Sequence, residues 1–211
     1  MKPLKQIINE IDIIGQHKRT KAMHMIMHFH YNYENATHRA GIHNYNDSHQ
    51  SKLMNGYLWE KHKDPEGFPH NETTETNIRK LDSAIHEFKT PHKLAVYSGT
   101  KHDPRELKNS EGIVHHPAYL STSIDESVGN RFAGYNASKD NQNIAHEHVL
   151  KIHVPKGHPG VYVPSKGSNA FYDTEKEFIL PRGTNLKHIK TETKEYPFSF
   201  KRKFIHHMKV V

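Results

Sequence analysis

The chain has 211 residues, of which 34% are hydrophobic and 25% charged, with a formal charge of +7 and no cysteine. This length suits one domain of ordinary size, and the lack of thiols excludes disulfide frameworks, thiolate metal sites and a cysteine nucleophile. No run approaches the ~20 apolar residues of a membrane span, and residues 1–14 lack the apolar core and cleavage site of a secretory leader, so a soluble chain with no membrane partner is expected. The sequence pI near 9.3 favours acidic partners, nucleic acid included, without requiring one.

In chain order, Met23, Ile26, Met27 and Phe29 predict one apolar helical face over residues 21–33, and Leu53, Met54, Tyr57 and Leu58 predict a helix over 51–62. Pro65, Gly67 and Pro69 punctuate a loop. The clearest helix runs over 73–88, where Ile78, Leu81, Ile85 and Phe88 recur at three and four residues before the stop at Thr90-Pro91. Short strands follow over 93–97, 118–123, 148–154, 161–163, 177–180, 186–189 and 198–211. Helices first and strands afterwards predict an α+β domain. No glycine-rich strand-to-helix turn of the dinucleotide-binding type is present.

Three segments at predicted strand ends carry chemistry-bearing side chains: Tyr97-Ser98-Gly99, Ser121-Thr122-Ser123 and Glu175-Lys176-Glu177. Each alone reads as a hydroxyl-rich strand end or a solvated carboxylate pair. Their order after an amphipathic helix, with Arg131-Phe132-Ala133 between the second and third, resembles the Arg-Ser-Glu class of mono-ADP-ribosyltransferases. That class includes bacterial exotoxins and enzymes of tailed bacteriophages. The resemblance spans residues 73–211 and is strongest at Ser121–Ser123 and Glu175–Thr184.

The resemblance implies a single domain over 1–211, mainly helical over 1–90 and mainly β over 91–211, with two packed short-stranded sheets. It implies NAD as substrate, no metal, and transfer of ADP-ribose to a protein acceptor. Glu177 corresponds to the catalytic carboxylate that holds the ribose 2′-hydroxyl and stabilises an oxocarbenium-like transition state. Strand alternation would set Glu175 on the same face, where it orients and deprotonates an acceptor guanidinium. In the class a Glu-x-Glu pair accompanies arginine acceptors. Ser121 would fix Glu177, while Thr122 and Ser123 shape the strand end. Tyr97, Ser98 and Gly99 fall in the cofactor-binding segment, Gly99 reading either as a flexible strand end or as a close approach to the cofactor.

Phe132 is expected either to stack on nicotinamide or to pack in the core. Phe171 and Tyr172 fall in the acceptor-facing loop, or form a packed hairpin tip. Ser98 stands where the class carries a phosphate-binding arginine, a loss of about 1.5–3 kcal/mol if uncompensated; Lys101, His102, Arg105 and Arg131 are the nearby cations. The expected setting is the cytoplasm of an infected bacterium, with a host transcription or translation protein as acceptor; a secreted toxin is the alternative.

Three other readings compete. An NAD glycohydrolase would use the same fold with water as acceptor. A nucleic-acid-binding module would draw on Lys201-Arg202-Lys203 with His206 and His207. A metalloenzyme would draw on His24 and His28 or on His146-Glu147-His148, but neither set supplies an identifiable third ligand, and among 21 histidines close pairs arise by chance.

Overall fold

The computed structural model describes residues 35–90, 92–139, 146–163, 176–197 and 201–211. The helix predicted over 21–33, with the His24–His28 pair, lies outside the described residues. Three helices open the described fold: α1 (Ala36–Asn46), α2 (Ser48–Lys63) and α3 (Glu72–Glu87). Each starts at a side-chain cap that satisfies orphan backbone donors. Asn35 accepts from Thr37 and His38, Asp47 from His49 and Gln50, and Asn71 from Thr74. α3 follows its predicted pattern, burying Ile78, Leu81 and Ile85. α1 was not predicted, because its buried positions are only His38, Gly41, Ile42 and Tyr45 and make no continuous apolar stripe.

Eight strands follow: β1 (Leu94–Thr100), β2 (Ile113–His116), β3 (Leu120–Ser123), β4 (Glu147–Val154), β5 (Val161–Val163), β6 (Glu177–Leu180), β7 (Thr184–Glu195) and β8 (Arg202–Val210). Their hydrogen-bonded order is β2-β7-β8-β4-β1-β3-β6-β5. The two expected sheets are present as two wings, β2-β7-β8-β4-β1 and β3-β6-β5, but they are not separate. They remain joined through a single paired position, Tyr97 with Ser123. One apolar cluster draws on both wings, including Val96, Ile152 and Met208 from the first and Leu120, Phe178 and Leu180 from the second. The helices cover the other face of the short wing, where Tyr45, Leu58, Leu81 and Ile85 meet Val161 and Ile179. Tyr119, just before β3, donates to Asp82 of α3 at 2.7 Å, and Arg182 pairs with the same carboxylate at 2.9 Å.

A fourth helix, α4 (Glu126–Lys139), interrupts the β region and packs on β1. The sequence reading missed it because glycine, serine and asparagine dilute its apolar pattern. Its approach to β1 requires two glycines. A Cβ on Gly99 would lie 2.2 Å from the Ala133 nitrogen, and one on Gly129 would lie 2.7 Å from the Tyr97 Cβ. The close approach at Gly99 is therefore to a helix, which corrects the reading of a flexible strand end.

The basic C-terminal run is an interior strand. β8 lies between β7 and β4, with Arg202 near Glu195 at 3.5 Å, Lys203 near Glu147 at 3.3 Å, and His206 and His207 buried. The histidines and glutamate of the metalloenzyme alternative, His146-Glu147-His148, do not converge, since alternation along β4 turns Glu147 away from His148. Glu147 accepts from Tyr196, while His148 faces His206.

Several imidazoles are held in the neutral form. Burial pushes His116, His148, His158, His188 and His207 below the usual 6.5 and takes His206 to about 4. The unfolded chain then binds more protons between these values, so stability is full above pH 6.5 and is lost as pH falls towards 4. Thermal melts in metal-free buffer are expected to show a level Tm from pH 8 to 7 and a steady fall below about 6.5; a level Tm down to pH 4 would contradict this. Gly99→Ala is expected to destabilise the fold by roughly 1–3 kcal/mol or more, read from the denaturant midpoint.

Candidate active site

A cleft of about 210 Å³ opens where the two wings part. Tyr97, Ser98 and Gly99 of β1 line one side, Ser121, Thr122 and Ser123 of β3 with Glu177 of β6 the other, and Val128 and Phe132 of α4 close it. The volume falls below the ~300–1,000 Å³ of a pocket for a whole drug-sized ligand, so it suits one end of an extended molecule. Segments far apart in sequence meet here because β3 is the common neighbour of β1 and β6. Register aligns Ser123 with both Tyr97 and Glu177.

The hydroxyls divide into distinct tasks. Ser121 donates to the Glu177 carboxylate, fixing its orientation at the cleft. Ser98 donates to the Ser121 carbonyl at 3.0 Å, so it helps join the wings. Thr122 is buried and donates to the Phe178 carbonyl. Ser123 donates to the Lys176 carbonyl at 3.4 Å and accepts from the Asp125 N–H at 3.0 Å.

The residue before Glu177 is held from three directions. Lys176 has φ 44°, in the left-handed region that side chains other than glycine seldom adopt. Its carbonyl accepts from the Ile124 N–H at 3.2 Å and from Ser123, and its ammonium pairs with Asp125 at 2.7 Å. Hydrogen bonds from Lys176 and Ser127 hold the Asp125 carboxyl down to about 2, against the opposing effect of burial. Asp125 also caps α4, accepting from the Ser127 N–H at 2.9 Å. One carboxylate thus ties the helix that carries Phe132 to the strand that carries Glu177.

This geometry revises one step of the sequence reading. β6 begins at Glu177 and Lys176 leaves the extended region, so strand alternation does not relate Glu175 to Glu177. Glu175, Phe171 and Tyr172 lie outside the described residues. Phe132 is 40% exposed and lines the cleft, which decides against the core reading. Arg131 is exposed on the same helix, its guanidinium 5.6 Å from the Phe132 ring, and does not line the cleft. Arg105 is engaged by Asp103 at 2.5 Å and lies over the Phe204 ring, whereas Lys101 and His102 are exposed on the loop after β1. Val128, Asp125 and Lys176 were not singled out from sequence. The available signal was Asp125-Glu126-Ser127, an N-cap followed by an acidic first turn.

A model of the ADP-ribosyltransferase exoenzyme family matches residues 14–207, and the chain belongs to that family. Solved structures share the fold at low identity. C3larvin toxin, an ADP-ribosyltransferase from Paenibacillus larvae, is 19% identical over 94% of both chains, with a TM-score of 0.60. C3stau2 from S. aureus, solved with NAD, is 20% identical over 94% of this chain and 97% of that one, with a TM-score of 0.64. The C3 exoenzyme of Clostridium limosum is 15% identical over 92% and 94%, with a TM-score of 0.64. No curated protein matches the chain.

Removing the Asp125 carboxylate is expected to affect both stability and turnover. Asp125→Ala should cost about 1 kcal/mol as a lost cap and lower kcat for NAD cleavage more than it changes KM. Lys176→Ala keeps the cap, so it should reproduce the kcat loss with little change in Tm. Normal turnover in both variants would show that the tie to Glu177 is dispensable.

Proposed function

We propose that the protein is a mono-ADP-ribosyltransferase that cleaves the nicotinamide glycosidic bond of NAD and passes ADP-ribose to an arginine of a protein acceptor. The observation that carries this reading is the hydrogen-bonded Ser121–Glu177 pair in a cleft walled by Phe132 and by the β1 segment Tyr97-Ser98-Gly99.

In this reading the cleft takes the nicotinamide ribose end of NAD, with the nicotinamide ring against Phe132. Glu177 accepts a hydrogen bond from the ribose 2′-hydroxyl, and its charge stabilises the positive ribose carbon as nicotinamide departs with the bonding electron pair. Ser121 keeps the carboxylate in one orientation, so reorganisation during the reaction is small. The guanidinium nitrogen then attacks that carbon, and Glu175 takes its proton. A positioned base matters because a free guanidinium holds its proton at any physiological pH. Ser98 supplies no charge to the diphosphate, and Arg131, exposed beside Phe132, is the proposed replacement.

The structural likenesses run to bacterial toxins and exoenzymes. They favour a toxin acting on a host-cell protein over the bacteriophage setting.

Labelled NAD with cell lysate, or with agmatine as a free guanidino acceptor, tests the proposal. Wild type should label discrete proteins and agmatine, and Glu177→Ala should lose NAD cleavage by at least about 100-fold, the range typical of an electrostatic group at a reacting centre. Glu175→Gln should still release nicotinamide but lose transfer to agmatine. Free ADP-ribose as the only wild-type product, with every acceptor, would make the enzyme a glycohydrolase. Transfer to a residue other than arginine would overturn the role of Glu175.

A further inference from the structure

On the core-facing side of the long wing, away from the cleft, two neighbouring strand rows carry imidazoles where apolar side chains would be expected. Along β4 the row is His148, Leu150, Ile152 and Val154; along β8 it is Phe204, His206, Met208 and Val210. The register pairs His148 with Phe204 and Leu150 with His206, and the two imidazole rings stack at 5.3 Å. His148 Nδ1 and His206 Nε2 face each other at 3.0 Å, and Asp103, on the loop after β1, brings a carboxylate oxygen to the same point. All three donor atoms lie within 4.8 Å of one another.

We propose that Asp103, His148 and His206 form a binding site for one divalent transition-metal ion of the zinc class. Two imidazoles and a carboxylate are a donor set for such an ion, leaving a fourth position for water. Ligands at about 2.0–2.1 Å in tetrahedral geometry stand about 3.3–3.4 Å apart, so the two rings separate by a few tenths of an ångström on binding. His148 is the less buried of the two rings, His206 being fully buried.

The surroundings of His206 fit ligation. Its other ring nitrogen, Nδ1, lies 3.0 Å from the Thr191 hydroxyl, which is itself 2.9 Å from His188 Nε2. A hydrogen bond from Nδ1–H to that hydroxyl selects the tautomer whose Nε2 lone pair points at His148 and Asp103. Two facing neutral imidazoles can share only one proton between them. A bound cation would use both lone pairs in place of the hydrogen bond between the rings. It would also tie the 101–109 loop to β4 and β8.

Arg105 opposes the ion. Its guanidinium donates to both Asp103 oxygens, at 2.9 and 2.5 Å to Oδ2 and 3.0 Å to Oδ1. It competes for the carboxylate and adds a positive charge beside the site, which gives the proposal a signature that adventitious binding by surface histidines would not share.

The test uses the full chain, stripped with chelator and titrated with zinc by calorimetry, with cobalt as a spectroscopic probe. Wild type should bind one tight zinc equivalent, gain thermal stability, and give the intense visible bands of tetrahedral cobalt. Asp103→Asn and His148→Gln should each weaken the tight equivalent by about 10-fold or more and lose the cobalt bands, with NAD cleavage unchanged. Arg105→Gln should tighten it several-fold. Absence of a tight equivalent in wild type, or equal zinc affinity in all four proteins, would overturn the proposal and leave the rings as a hydrogen-bonded pair.

Discussion

β1 and β3 touch at one paired position, and the position of the cleft depends on that narrow junction. A full ladder between them would continue a flat sheet and leave no space. No contact would let the wings move independently. With Tyr97 opposite Ser123 and the Ser98 hydroxyl on the Ser121 carbonyl, the strands are pinned at one point and diverge from it. The shared apolar cluster keeps the wings packed beyond the junction. The opening therefore lies where the two strand ends present hydroxyls and Glu177 presents its carboxylate.

α4 makes that opening a site rather than a crack. Its backbone approaches β1 closely enough that Gly99 and Gly129 tolerate no side chain, and this brings Val128 and Phe132 over the cleft. Asp125 at its start serves two elements at once, capping the helix and pairing with Lys176. The chain is thus fixed immediately before Glu177. In the proposed mechanism the Glu177 carboxylate must already be in place when charge develops, and the Asp125–Lys176 pair would provide that preorganisation.

The histidine-rich, basic composition proves uneven in its consequences. Some imidazoles are exposed, but His206 and its neighbours lie against the core, where burial keeps them neutral. Arg202 and Lys203 sit on an interior strand beside carboxylates, so two cations of a run that looks like a nucleic-acid patch in one dimension are engaged in ion pairs in three. Net charge counts residues without regard to their partners, which explains why it says little about this surface.

The sequence by itself determined the elements whose signals are local. α3 matches its period within one residue because it buries one face, and β6 matches as a short continuous apolar run because it is buried on both faces. It also supplied the order of the three motif segments, which sufficed for the family and offered Ser121, Glu177 and Phe132 as candidates, all of which line the cleft. Tertiary structure decided the rest. α1 and α4 lack a continuous stripe and exist through caps and close glycine contacts with α3 and β1, which involve partners distant in sequence. The bond from Ser98, the left-handed turn at Lys176 and the meeting of Asp103 with His148 and His206 arise from strand register and loop closure. A residue's own neighbours in sequence carry no record of which distant group will stand opposite it.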